Sequence, residues 1–216
     1  DVSFRLTGIP GVCHATFGPG ATNISTGVGG AFLDRSSVIV LTSEIEDGML
    51  NRTVQMKIDH QELFSPITKR TYRLSPENIS LIVPEAIKLS LEEYPGPVHL
   101  GLPSDIAKKQ VQEIEINPVF NNQSGRTNNI ESIKEILLKS RRPIIAAGLT
   151  AVRTGAGPLL NRFLETHKIP VVLTPMAKGI VNEAHPCYAG VLFHALSEYL
   201  EDLYEKTDLI IGLGYD

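Results

Sequence analysis

Six short apolar runs, at residues 12–17, 38–43, 98–102, 144–148, 171–174 and 209–213, recur along the chain with helical patterns between them. They are continuously apolar instead of alternating. A strand needs that pattern when both of its faces are covered, as in a parallel sheet. Parallel neighbours in turn need crossover connections, usually helices. Residues 21–33 follow a Gly18-Pro19-Gly20 turn and read as one such helix, and residues 130–139 and 159–168 as others. A further helix is expected over 76–93, with Ser75 as N-cap, Pro76 at its first position and a kink or break at Pro84. Residues 1–8 read as the end of a helix stopped at Gly8. The fold class is therefore α/β, built as doubly wound, mainly parallel units.

A chain of 216 residues has room for one or two domains, at roughly 150 residues each. Residues 107–129 break the pattern: they are polar, hold Asn117-Pro118 and Asn121-Asn122, and end in Ser124-Gly125-Arg126-Thr127-Asn128-Asn129. The expected division is one α/β unit over 1–106, a linker over 107–128 and a second unit over 129–216. The chain has no initiator Met and stops just past a strand, so both ends read as cut. A net charge of −4 gives no basic footprint for nucleic acid. No apolar run is long enough to span a bilayer. Cys13 and Cys187 fit no metal-ligand spacing and read as ordinary thiols of a cytoplasmic protein.

Two glycine-rich segments stand at strand-to-helix turns. Gly18-Pro19-Gly20-Ala21-Thr22-Asn23 lies at the carboxyl end of a strand, where ligands of open α/β sheets bind. Its glycines would let a backbone approach a ligand, and they would equally serve a tight turn. The segment from Gly148 to Gly157 suggests a dinucleotide loop with Arg153 on a phosphate, but it is no clean G-x-G-x-x-G and a plain turn explains it. The six histidines are scattered, with no zinc-protease spacing and no metal set. Asp59-His60 reads as a helix start in preference to a catalytic dyad, and Lys69-Arg70 as solvated surface.

Taken together, these segments resemble one family. Arg5-Leu6-Thr7-Gly8, Pro10-Gly11-Val12, Gly18 to Asn23, Leu63 to Lys69 and Pro95-Gly96-Pro97-Val98 are similar to the pyrimidine-binding domain of thiamine-diphosphate enzymes of the acetolactate synthase type. Arg142-Pro143, Gly148, Ile169-Pro170-Val171-Val172, Lys178-Gly179, His185-Pro186 and Asp208-Leu209-Ile210-Ile211 resemble the family's central, Rossmann-like domain.

The resemblance implies thiamine diphosphate and Mg²⁺ as cofactors, a 2-keto acid as substrate and a homodimer or homotetramer as the assembly. It puts Pro19, Gly20 and Asn23 at the pyrimidine end of the cofactor, across a subunit interface, and Gln55 near the reacting keto acid. In the family an upstream Glu bonds the aminopyrimidine and helps the thiazolium carbon lose its proton, so that it can attack the keto acid. That Glu is not in this sequence, nor is the Gly-Asp-Gly motif that holds Mg²⁺ and the diphosphate. The chain on its own is thus expected to be inactive. Val54-Gln55-Met56 stands where the family has Phe-Gln-Glu. The resemblance leaves open a carboligase, a 2-keto-acid decarboxylase or lyase, and a non-catalytic nucleotide-binding or scaffold protein. FAD, which some relatives carry in the central domain, is not expected. Phe193 replaces a glycine, and Gly214-Tyr215-Asp216 lacks the Arg of flavin-binding members.

Overall fold

The computed structural model describes residues 1–52, 55–111, 129–192 and 198–215. They form two compact units, Asp1–Asn122 and Gln123–Asp216. The linker expected over 107–128 lies mostly outside the described residues; its first two residues belong to a 3-10 turn at Ile106–Lys108.

In the first unit, α1 (Val2–Thr7) stops at Gly8, which takes the left-handed conformation at φ 71°. Then follow β1 (Gly11–Ala15), α2 (Pro19–Leu33), β2 (Val38–Glu44), α3 (His60–Phe64), β3 (Arg70–Arg73), α4 (Ile79–Leu91) and β4 (Val98–Pro103). The four strands form an all-parallel sheet in the order β1-β2-β4-β3. Successive side chains of a strand point to opposite faces. Val38 and Val40 accordingly pack with Ala21, Val28, Ala31 and Phe64 of α2 and α3. Ile39 packs on the other face with Val98, Leu100 and Ala86 of α4. Thr42 and His99 lie on strands with these two covered faces and are themselves fully buried.

Two expectations need correction here. The helix expected from Pro76 begins at Ile79, because Ser75 and Pro76 belong to a preceding turn. The Asn78 side chain holds that turn, accepting from the Ser75 N–H at 2.8 Å and donating to the Arg73 carbonyl at 3.1 Å. Pro84 does not break α4, which is continuous to Leu91. Ile82, Val83 and Ile87 pack against the sheet on both sides of it, and that burial outweighs one missing backbone hydrogen bond. Lys69 is also more than solvated surface: its Nζ donates to the carbonyls of Leu89 and Glu92, closing the carboxyl end of α4.

The second unit contains α5 (Ile130–Lys139), β5 (Pro143–Ala147), α6 (Leu149–Arg153), α7 (Gly157–His167), β6 (Val171–Leu173), β7 (Tyr188–Val191), α8 (Glu198–Glu205) and β8 (Leu209–Leu213). Its four strands are again all parallel, in the order β7-β6-β5-β8. Ile145, Val171 and Leu173 face Leu160 and Leu164 of α7, whereas Ile144, Ala146 and Val172 face Leu200 of α8. Among the described residues, no helix is long and apolar enough to cross a membrane.

Glycines make closely packed corners in this unit. A Cβ on Gly148 would lie 2.4 Å from the Gly214 carbonyl oxygen, and one on Gly214 would lie 2.2 Å from the Ala151 nitrogen. The β5–α6 turn and the end of β8 therefore meet backbone to backbone. Gly148→Ala should lower the unfolding free energy of the chain by about 1–3 kcal/mol in urea titrations. Gly27→Ala, on the exposed side of α2 with nothing within 4 Å of the added carbon, should raise it by about 0.5–1 kcal/mol.

Candidate functional site

The carboxyl end of β1 leads through Thr16 and Phe17 into a buried Gly18 with φ +65°, which caps α2. A side chain there would meet backbone, since an added Cβ would lie 2.7 Å from the Met56 carbonyl oxygen. Met56 itself has φ 58°, so two residues of positive φ meet at this contact. Pro19 occupies the first turn of α2, where its missing N–H costs nothing. Pro19 and Asn23 are exposed and Gly20 is half-buried. A Cβ on Gly20 would lie 2.6 Å from Thr16 Cγ2, so this glycine already has a packing reason inside the chain.

Behind the turn runs a buried chain of hydrogen bonds. The Gly18 N–H donates to His60 Nε2 at 3.3 Å. His60 Nδ1 lies 2.9 Å from Thr42 Oγ1, and Thr42 Oγ1 lies 2.8 Å from His99 Nε2. The direction of each bond follows from the first. An imidazole nitrogen that accepts from an amide carries no proton, so neutral His60 has its proton on Nδ1 and donates it to Thr42. The Thr42 hydroxyl then donates to His99 Nε2, which leaves the His99 proton on Nδ1. That nitrogen has no partner among the described residues. Phe64 stacks on the His99 ring at 4.5 Å. Burial holds the His60 pKa below the usual imidazole value against the pull of Glu44 and Asp59. Burial, helped by the nearness of His60, pushes that of His99 down to about 3.

In front of this chain lies a cavity of about 280 Å³, walled by Phe17, Glu44, Met56, His60, Gln61 and Arg73 among others. Glu44, at the end of β2, accepts from Gln61 Nε2 at 2.9 Å and pairs with Arg73 Nε at 2.7 Å. Gly101 leaves it room, since a Cβ there would lie 1.9 Å from Glu44 Oε1. Glu44, His60 and His99 each offer a donor atom within 4.8 Å of the others. Both Glu44 oxygens are nevertheless engaged, and the Thr42 hydroxyl stands between the imidazoles. Gln55 is exposed on the turn before Met56 and does not line the cavity. Its neighbours Thr53 and Val54 lie outside the described residues.

In the second unit, Gly148 caps α6 and packs on Gly214, and Arg153 Nη2 donates to Thr150 Oγ1 at 2.9 Å. Close packing within the chain accounts for Gly148. Phe193 and Asp216 lie outside the described residues.

Residues 1–63 match the family model described as the N-terminal TPP binding domain of thiamine pyrophosphate enzymes, and residues 130–216 match the model of their central domain. The chain belongs to the thiamine pyrophosphate enzyme family. It is 33% identical to a probable acetolactate synthase large subunit of Methanocaldococcus jannaschii, over 97% of this chain and 37% of that protein. The acetolactate synthase large subunit of Cyanidium caldarium is 31% identical, over 99% of this chain and 38% of its own length. The acetolactate synthase of Arthrospira platensis is 32% identical, over 97% and 38%. The chain thus spans well under half the length of the curated relatives it matches.

Against this family background, the sequence pointed to the Gly18 turn but not to the network behind it. The signal was present: a Thr and a His inside the apolar runs of β2 and β4 are buried polar groups that need partners. Asp59 does start a helix, accepting from the Glu62 N–H at 3.0 Å, and it thereby fixes His60 on the first turn of α3.

The network makes stability acid-sensitive. Unfolded His99 takes up a proton near pH 6.5, while folded His99 resists protonation down to about 3. Its contribution is complete above pH 6.5 and is lost as pH falls through that window, by up to about 1.4 kcal/mol per pH unit. Urea unfolding between pH 7 and pH 4 should show this acid arm in the wild-type chain and a shallower one in His99→Leu.

Proposed function

We propose that this chain supplies the pyrimidine-binding and central parts of a thiamine-diphosphate-dependent carboligase that joins 2-keto acids, as in acetolactate synthase. The observation that carries this reading is the match along 97–99% of the chain to proteins named acetolactate synthase. The Gly18-Pro19-Gly20 turn fits it. It stands at the carboxyl end of β1 with Pro19 and Asn23 exposed and available to a ligand. Thiamine diphosphate, when bound, supplies the carbon nucleophile that takes up a 2-keto acid and lets carbon dioxide leave. Pro19 and Asn23 would contact the pyrimidine end, and Gly20 would let the helix backbone come close. Gln55, an exposed neutral amide able to donate and accept, would orient the keto acid.

Mg²⁺ and the diphosphate would be held by parts of a longer protein, since this sequence has no Gly-Asp-Gly. The site would be completed by a second subunit in a homodimer or homotetramer. The central unit is proposed to work without a flavin, because Gly148 is filled by Gly214 and Arg153 is turned onto Thr150. A cytoplasmic setting suits the two free thiols, Cys13 and Cys187.

The test uses the longer parent protein with thiamine diphosphate, Mg²⁺ and pyruvate. Acetolactate as product supports the carboligase, acetaldehyde alone would make it a decarboxylase, and no cofactor binding would overturn the reading. Gln55→Ala and Asn23→Ala should each lower turnover or cofactor affinity about tenfold, equivalent to about 1.4 kcal/mol. Gly20→Val is a poor probe, because it would also strike Thr16. The 216-residue chain alone should show no turnover and no binding tighter than millimolar, about 4 kcal/mol.

A further inference from the structure

We propose that His60 is a positioning residue that holds the Gly18-Pro19-Gly20 turn in its ligand-ready form by accepting the Gly18 N–H. This rests on the reading that the turn receives thiamine diphosphate.

The geometry leaves the Gly18 amide little choice. Gly18 is buried, and its N–H finds its acceptor in His60 Nε2 at 3.3 Å. An imidazole suits the task because it can accept on one nitrogen while being fixed through the other. Nδ1 is tied to Thr42, Thr42 is tied to His99, and His99 is sandwiched in the core against Phe64. The ring is also placed from below by the Asp59 cap of α3. Thus β2, β4 and α3 all bear on one amide, with Pro19 next to it and Asn23 one helical turn further on.

Only the neutral ring can serve. A proton added at Nε2 would set N–H against N–H and expel the turn. The titratable and charged groups around His60 are Glu44 from β2, Asp59 from its own cap, His99 from β4, Arg73 from β3 and Lys57 on the cavity wall. Burial outweighs the upward pull of Glu44 and Asp59, and His99 stays uncharged, so His60 is neutral at ordinary pH. Acid should therefore loosen the turn.

The first arm of the test uses the ¹⁵N-labelled chain. The Gly18 amide should be protected from exchange, and its protection should fall with the same midpoint as the His60 ring titration. His60→Leu should speed Gly18 exchange at least tenfold. His60→Gln, whose side-chain oxygen can accept the same N–H, should keep the protection and lose its pH dependence. Equal Gly18 exchange in wild type and His60→Leu, or different midpoints for amide and ring, would overturn the proposal.

The second arm uses the parent protein. His60→Leu should raise the half-saturating thiamine diphosphate concentration about tenfold with kcat at saturation within twofold. His60→Gln should restore affinity at neutral pH and abolish its acid-side loss. A His60→Gln variant as weak as His60→Leu sinks the proposal. A wild-type parent that binds no thiamine diphosphate sinks the functional reading instead, and the Gly18 amide then decides whether His60 holds the turn.

Discussion

The Thr42 hydroxyl lies between two imidazoles, within 2.9 Å of each, in the interior of a parallel sheet. One oxygen can accept from His60 Nδ1 and donate to His99 only if His99 is neutral with its proton on Nδ1, and the Gly18 amide can be held at the other end only if His60 is neutral too. Every member of the chain is therefore specified by its neighbour. Replacing Thr42 with Val would keep the shape and strand one donor and one acceptor, at about 1–3 kcal/mol for each unsatisfied group. The network is buried enough for such a loss to be felt, because Thr42 and His99 have no access to solvent.

The same architecture is used differently in the two units. In the first, polar side chains crowd the carboxyl edge of the sheet: Thr42 and Glu44 from β2, Arg73 from β3, and His60 and Gln61 from α3. A cavity remains in front of them. In the second, the corresponding edge is closed by backbone. Gly148 and Gly214 approach so tightly that neither tolerates a Cβ. Parallel sheets place their strand ends in register, which makes that edge available for ligands, but the side chains at the edge decide whether it is used.

Much of this was readable from the sequence, and the limits have physical causes. The central strands announced themselves because two covered faces favour apolar residues, so β2, β4 and β5 stand close to where their apolar runs do; the runs at 12–17 and 209–213 also mark strands, but β1 and β8 are edge strands with Val12 and Ile210 exposed, so both faces are not covered there. β3, with the sequence Arg-Thr-Tyr-Arg, gave no such signal. It is an edge strand whose side chains stay partly in solvent. β7 is similarly half-exposed at the edge of the other sheet. α4 began three residues later than its Ser75-Pro76 signature suggested, because Asn78 captured the turn by bonds over five residues or fewer. At the site, the Gly-Pro-Gly turn was legible as a local motif. The His60 and His99 pairing was not, since the two lie far apart in sequence and meet only when β4 inserts beside β2.

That insertion also explains why the turn can be rigid without being covalently constrained. Gly18 is held at three points of different character. Its φ of +65° excludes side chains, the Met56 backbone closes the space where one would grow, and His60 takes its amide proton. The first two are steric and do not change with solution conditions. The third is electrostatic and disappears when the imidazole is protonated. A turn held only by sterics would keep its shape until the domain unfolds, whereas this one also has a contact that protonation of one ring would break. His60, whose ring forms part of the cavity wall, is thus the member of the network through which acid can reach the turn.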